Sequence, residues 1–205
     1  MTVKPEDLSV LQIDALRELG SIGAGHAATA LSQLLDHPVD ITVPEVKLVP
    51  VSEVPMVFGG PETLVGAVYT RLLGDVSGGM LFIAPRSAML ALVDLLRNRP
   101  PGSTKSMNAD EEALATHTSS ILIAAYLAAI SRMADLSLLP SPPAFAFDMM
   151  GAILEVATMD IGMKADTAIL VLTSFIDERA VVDAALFYLP DPDSLEIILG
   201  RLGIV

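Results

Sequence analysis

The sequence predicts an α+β fold: a tandem duplication of one αβ unit, with two long helices packed on a shared, antiparallel-rich β-sheet. Three observations predict it. Helical periodicity recurs over two long stretches, 7–36 and 110–133, and each is followed by strand-like segments and a short helix. Between them, NRPPGSTKS at 98–106 holds two prolines, a glycine and no apolar side chain, which marks a connection. Of the 205 residues, 52% are hydrophobic, enough to bury a sizeable core without staples. The expected organisation is a single domain, 1–205, made of pseudo-symmetric halves of about 7–97 and 108–202 joined by the linker 98–107.

The elements follow in order. Over 7–36, Leu8, Leu11, Ala15, Leu16, Leu19, Ile22, Ala27, Ala30, Leu31, Leu34 and Leu35 recur at three- and four-residue steps. Gly20, Gly23 and Gly25 interrupt this helix, and each interior glycine costs about 1 kcal/mol against alanine. Close approach of another surface would explain them; so would a helix break. Strand signals cover 39–54, punctuated by Pro44 and Pro50, then 63–73 and 78–84, with Gly74-Asp75 as a turn. A short helix fits 87–97. The second long helix has Asn108 or Asp110 as its N-cap. Pro140, Pro142 and Pro143 end the next connection, as Pro38 and Pro44 do earlier. A helix at 148–159, strands at 167–175 and 181–189, and a terminal helix at 194–202 after Pro190-Asp191-Pro192-Asp193 complete the pattern.

Composition excludes several classes. Twelve Lys+Arg against 25 Asp+Glu give a formal charge of −13, and a phosphate lattice would repel such a chain, so no nucleic-acid partner is expected. Without cysteine there is no disulfide framework, thiolate zinc site or cysteine nucleophile, which fits a cytoplasmic setting. Mean hydropathy is +0.59. The longest apolar run, 121–130, is nevertheless half the roughly 20 residues a span needs. The opening MTVKPEDLSV is polar, without a basic start leading into an apolar core, so no membrane insertion is expected.

His26, His37 and His117 stand far apart, none beside a carboxylate at ligand spacing, so no metal site is expected. No G-x-S-x-G nucleophile elbow occurs. GAGHAA at 23–28 matches G-x-G-x-x-A, but that fingerprint needs a strand feeding the loop, and the residues before it have helical spacing. The polar face of the first helix is more informative. Asp14, Glu18 and Ser21 project from one side over roughly 10 Å, and Gly25 continues the stripe. A solvated helix face would have no need of the glycines; a face on which another protein lies would.

The stretch DALRELGSIGAGHAATALSQLLDHPVDITVPEV resembles the opening of the CheC family of chemotaxis phosphatases, relatives of CheX and FliY. The resemblance continues through GDVSGGMLFIAP and, more faintly, into the second half. The family pattern is Asp or Ser, three residues, Glu, two residues, Asn, twenty-two residues, Pro; here it reads Asp14, Glu18, Ser21 and Pro44, with Ser in place of Asn. The resemblance implies dephosphorylation of the response regulator CheY. The regulator would house the phosphoryl group, the magnesium and the attacking water, so that this chain carries no cofactor of its own. It implies that Glu18 grips a basic residue of the regulator and Ser21 positions the water, with Asp14, Gly25 and Pro44 at the docking surface. A degenerate second copy of the motif falls at His117, Ser120 and Pro143.

Phosphoryl transfer is mostly positioning and charge stabilisation, so one well-placed polar group can carry much of the rate. Serine is shorter than asparagine and lacks the amide's separate donor and acceptor. The alternative is therefore a weak or inactive adaptor that binds CheY or the deamidase CheD. A third reading is a duplicated αβ domain used elsewhere in phospho-signalling.

Overall fold

The computed structural model describes residues 8–160, 167–191 and 193–204. Asp7, the expected start of the first helix, and Pro192, in the turn before the last, lie outside them. Helix α1 spans Val10–Leu35 without a break. Its start is fixed by a capping box: the Ser9 hydroxyl accepts from the Gln12 amide, and the Gln12 side chain accepts from the Ser9 amide. Asp36, with φ 58°, ends it in the left-handed region. Helix α4, Ala109–Ala134, repeats the design with Asn108 and Glu111 as the box and Asp135, φ 50°, as the stop.

Two of the three glycines in α1 have an explanation inside the fold. A Cβ on Gly23 would lie 2.4 Å from the ring of Tyr126 on α4, and one on Gly20 would lie 2.8 Å from Val46. These positions let α1 lie close against α4 and the sheet. Of the two explanations, close approach holds for Gly20 and Gly23, the approaching surface lying within the fold, and neither a break nor partner clearance applies to them.

The strands are β1 (Asp40–Ile41), β2 (Glu45–Pro50), β3 (Leu64–Gly74), β4 (Gly78–Pro85), β5 (Leu138–Pro140), β6 (Ala144–Met149), β7 (Thr167–Ile176) and β8 (Val181–Pro190). They form one antiparallel sheet in the order β1-β7-β8-β4-β3-β5, with β2 also on β7 and β6 also on β3. The early strands β1 and β2 therefore pair with late β7, and late β5 and β6 pair with early β3. Pro44 and Pro50 punctuate one outer edge of this sheet, and Pro140, Pro142 and Pro143 the other, where a missing N–H breaks no ladder and discourages further pairing.

Helices α1, α4, α3 (Arg86–Leu96) and α6 (Ser194–Arg201) cover one face of the sheet over the larger core, which includes Leu16, Leu31, Phe82, Leu122, Phe175 and Leu199. Helices α2 (Val54–Val57) and α5 (Met150–Asp160) cover the other over Val65, Leu81, Ile83, Leu170 and Phe187. Three elements differ from expectation. The strand expected through 54 stops at Pro50, and a 3-10 turn at Val51–Glu53 leads into α2, with Pro55 in its first turn. Strands β5 and β6 occupy a stretch expected to be a connection. The linker is firmly held: buried Asp94 accepts from the Ser103 and Thr104 amides and the Thr104 hydroxyl, and Arg99 pairs with buried Glu111. These bonds keep the Asp94 carboxyl below its ordinary range despite burial.

By length and composition α4 could cross a membrane, yet half of its most apolar window is buried, where Leu122, Ile123, Tyr126 and Ile130 join the core.

Candidate functional site: the outward stripe of helix α1

Helical geometry places Leu11, Asp14, Glu18 and Gly25 in one line at steps of three, four and seven, with Ser21 beside it. Asp14 and Glu18 are exposed, Ser21 and Gly25 half-buried. Asp14 pairs with Arg17 at 3.1 Å, with side chains 59% and 57% exposed. An exposed pair at this spacing is worth about 0.3–0.5 kcal/mol, so Asp14 is easily released. Among the described residues Glu18 has no hydrogen bond or ion pair. Its carboxylate stands free in the middle of the stripe.

Ser21 is less free. Its hydroxyl donates to the Arg17 carbonyl at 2.8 Å, one turn back. That bond uses the donor and leaves the oxygen lone pairs as acceptors. Gly25 differs from its two neighbours: a Cβ there would meet nothing within 4 Å. Pro44 lies between β1 and β2 and, with Ile13 and Arg17, lines an open groove of about 490 Å³ between α1 and β2. The structure thus gathers Asp14, Glu18, Ser21 and Gly25 on one helix side and sets Pro44 beside Arg17.

The second set is laid out the same way on α4. His117 is exposed at the place corresponding to Glu18, and Pro143 is exposed between β5 and β6. The Ser120 hydroxyl donates to the Thr116 carbonyl at 2.6 Å, as Ser21 does to Arg17. The α4 stripe continues through Ala124 and Ala128, both exposed, where α1 has Gly25 and Thr29.

Two features of the stripe were not singled out by sequence. Leu11 fits the core periodicity but is 66% exposed, in line with Asp14 and Glu18; its seven-residue step to Glu18 was the available signal. Arg17 is the sole Lys or Arg on α1. His37, just past the end of α1, pairs through Nε2 with buried Asp177, distant in sequence, which Arg179 also holds. Among the described residues no group of three or more His, Asp or Glu could hold a metal ion.

The duplicated α+β fold carries an exposed polar stripe, Asp14 to Gly25, on a long helix. A model of the CheC-like family matches residues 11–48, which contain the stripe and Pro44. The chain is 36% identical over 196 residues to the CheY-P phosphatase CheC of Bacillus subtilis (strain 168), covering 94% of each. Among solved structures it is similar to Thermotoga maritima FliY, with a TM-score of 0.78 and 15% identity over 96% of this chain and 98% of that one. It is also similar to a chain of the CheX–CheY–BeF3–Mg2+ complex of Borrelia burgdorferi, with a TM-score of 0.50 and 14% identity over 82% and 95%. This chain belongs to the CheC-like family.

Proposed function

We propose that this chain is a CheY-P phosphatase: it docks the α1 stripe on a phosphorylated CheY-type response regulator and promotes hydrolysis of its aspartyl phosphate. The observation that carries this reading is the free, exposed carboxylate of Glu18 at the centre of the stripe, in a chain 36% identical to a CheY-P phosphatase. Glu18 would pair with a basic residue at the regulator's phosphosite, with Asp14 and Pro44 framing the contact. Water attacks phosphorus, the bond from phosphorus to the aspartyl oxygen breaks, and inorganic phosphate leaves with the carboxylate restored. The regulator supplies the magnesium that this chemistry uses.

Ser21 contributes as an acceptor. An attacking water must turn a lone pair toward phosphorus and an O–H toward something that receives it. The Ser21 oxygen, its own O–H donated to the Arg17 backbone carbonyl, can receive that O–H. A second reading rests on the same bond. A hydroxyl drawn back along the helix reaches less far than an amide, which favours an adaptor that binds the regulator without accelerating hydrolysis. His117, Ser120 and Pro143 form a degenerate second site without a carboxylate at the Glu18 position. The reading places the protein in the cytoplasm, admits CheD as a further partner, and assigns no nucleic-acid or membrane contact.

Phosphate release from phosphorylated CheY, measured with wild type, Ser21→Asn and Glu18→Ala, decides between these. Wild-type turnover that Glu18→Ala abolishes by weakening regulator binding supports the phosphatase. An inert wild type that Ser21→Asn activates establishes the adaptor. If Glu18→Ala changes neither binding nor turnover, α1 is not the docking surface.

A further inference from the structure

The two halves treat corresponding regions of the α2/α5 face differently. Strands β2 and β6 correspond, each six residues long. Glu45, first in β2, pairs with Leu172, and Ala144, first in β6, pairs with Tyr69. Leu172 and Tyr69 therefore occupy matching places. Tyr69 is covered, because α5 continues to Asp160, whose carboxylate accepts the Tyr69 hydroxyl. Leu172 is not. Helix α2 stops at Val57, and Leu172 lines an open groove of about 420 Å³ with Val43, Val57 and Phe58. Val43 at the rim is 92% exposed. The groove is the seat that α5 fills in the other half.

Its charge is also defined. Glu45 and Asp183 line it, and among the described residues Asp183 has no cation, only the Ser174 hydroxyl as donor. Lys47 answers Glu45 at 3.2 Å. We propose that this groove docks a short amphipathic helix of a partner protein, which supplies the turn that α2 lacks, with apolar residues on Leu172 and Phe58 and a Lys or Arg facing Asp183. Helix-in-groove recognition of this kind reads one apolar face and a flanking charge. The groove lies on the sheet face opposite α1, so occupancy there leaves the α1 stripe open, and the proposal stands apart from the phosphatase reading.

The chain itself provides the probe. An isolated eleven-residue helix is marginal in water, so the probe is a side-chain-stapled peptide of residues Met150–Asp160 carrying Asp160→Lys. Two-dimensional amide NMR of the whole protein is expected to show saturable shifts at Leu172, Ser174 and Ala184 by about 1 mM peptide. Asp183 is exposed, so Asp183→Lys leaves the core intact; it is expected to weaken the lysine peptide at least tenfold and to favour the parent peptide ending in Asp160. Absent or non-saturating shifts overturn the proposal, as does binding indifferent to the charge swap. A concentration-dependent dimer that protects the same amides overturns it in favour of a second copy as occupant.

Discussion

Gly25→Ala separates the needs of the fold from those of the partner. In a helix interior, alanine is favoured over glycine by about 1 kcal/mol. At Gly25 the added methyl meets nothing within 4 Å, so no packing penalty offsets that gain. The corresponding place on α4 holds exposed Ala124, so the fold accepts alanine there. For a chain of this size, 1 kcal/mol raises Tm by about 2–4 °C. Gly23→Ala is the internal control, because its methyl would lie 2.4 Å from the ring of buried Tyr126. Overpacking of that severity costs about 3 kcal/mol. Less the same gain of about 1 kcal/mol, the net loss is about 2 kcal/mol, a fall in Tm of about 4–8 °C. Melting followed by circular dichroism reads both. Regulator affinity supplies the second axis: if the regulator approaches the α1 backbone at Gly25, the stabilised variant binds about tenfold more weakly, or 1.4 kcal/mol. A Gly25→Ala protein that melts no higher than wild type refutes the packing argument. One that melts higher yet binds the regulator unchanged refutes the clearance argument.

Ser119→Ala is expected to stabilise the protein by about 1 kcal/mol, because the Ser119 hydroxyl is fully buried with no hydrogen-bond partner among the described residues. Urea unfolding should show a higher midpoint at unchanged slope, and a lower midpoint would reveal a partner for that hydroxyl. His37 is paired with Asp177, which raises its pKa above the ordinary value near 6.5. The stability from this pair is full below pH 6.5 and is lost as pH rises through the folded-state pKa. The Tm advantage of wild type over His37→Gln should therefore shrink from pH 6 to pH 8–9; an advantage that grows with pH contradicts the assignment.

Much of the helical layer was legible because its causes are local. Asn108 caps α4, and three- and four-residue periodicity runs the length of both long helices. The exposed placement of Asp14 and Glu18 follows from the same arithmetic. What was not legible depends on distant partners. Gly20 and Gly23 look alike in sequence to Gly25, and only Val46 and Tyr126, brought in from elsewhere, distinguish them. Strand β6 carries a local signal, Phe145 and Phe147 in alternation, but Pro140, Pro142 and Pro143 crowd its start and its ladder to β3 is formed from the other half of the chain. Helix α2 is a single turn held by its place over the sheet, too short for periodicity to register. Leu11 was assigned inward because hydrophobicity predicts burial only when nothing else uses the surface.

The duplication gives an internal comparison that separates structure from chemistry. Each half depends on the other for sheet edges, since β1 and β2 pair with β7 while β5 and β6 pair with β3; the fold therefore stands or falls as one unit. Features that this unit requires recur in both copies: helices of 26 residues, a capping box at each start, and a left-handed aspartate at each end. The stripe differs instead. Glu18 faces His117, Asp14 faces Ala113 and Gly25 faces Ala124 across the correspondence, and both members of the first two pairs are exposed. Exposed substitutions away from caps and cores usually change stability by under about 0.5 kcal/mol, so packing neither imposed this divergence nor is compensated by it. The asymmetry between the helices is one of exposed chemistry: an anionic, low-profile face on α1 and a carboxylate-free face on the middle of α4.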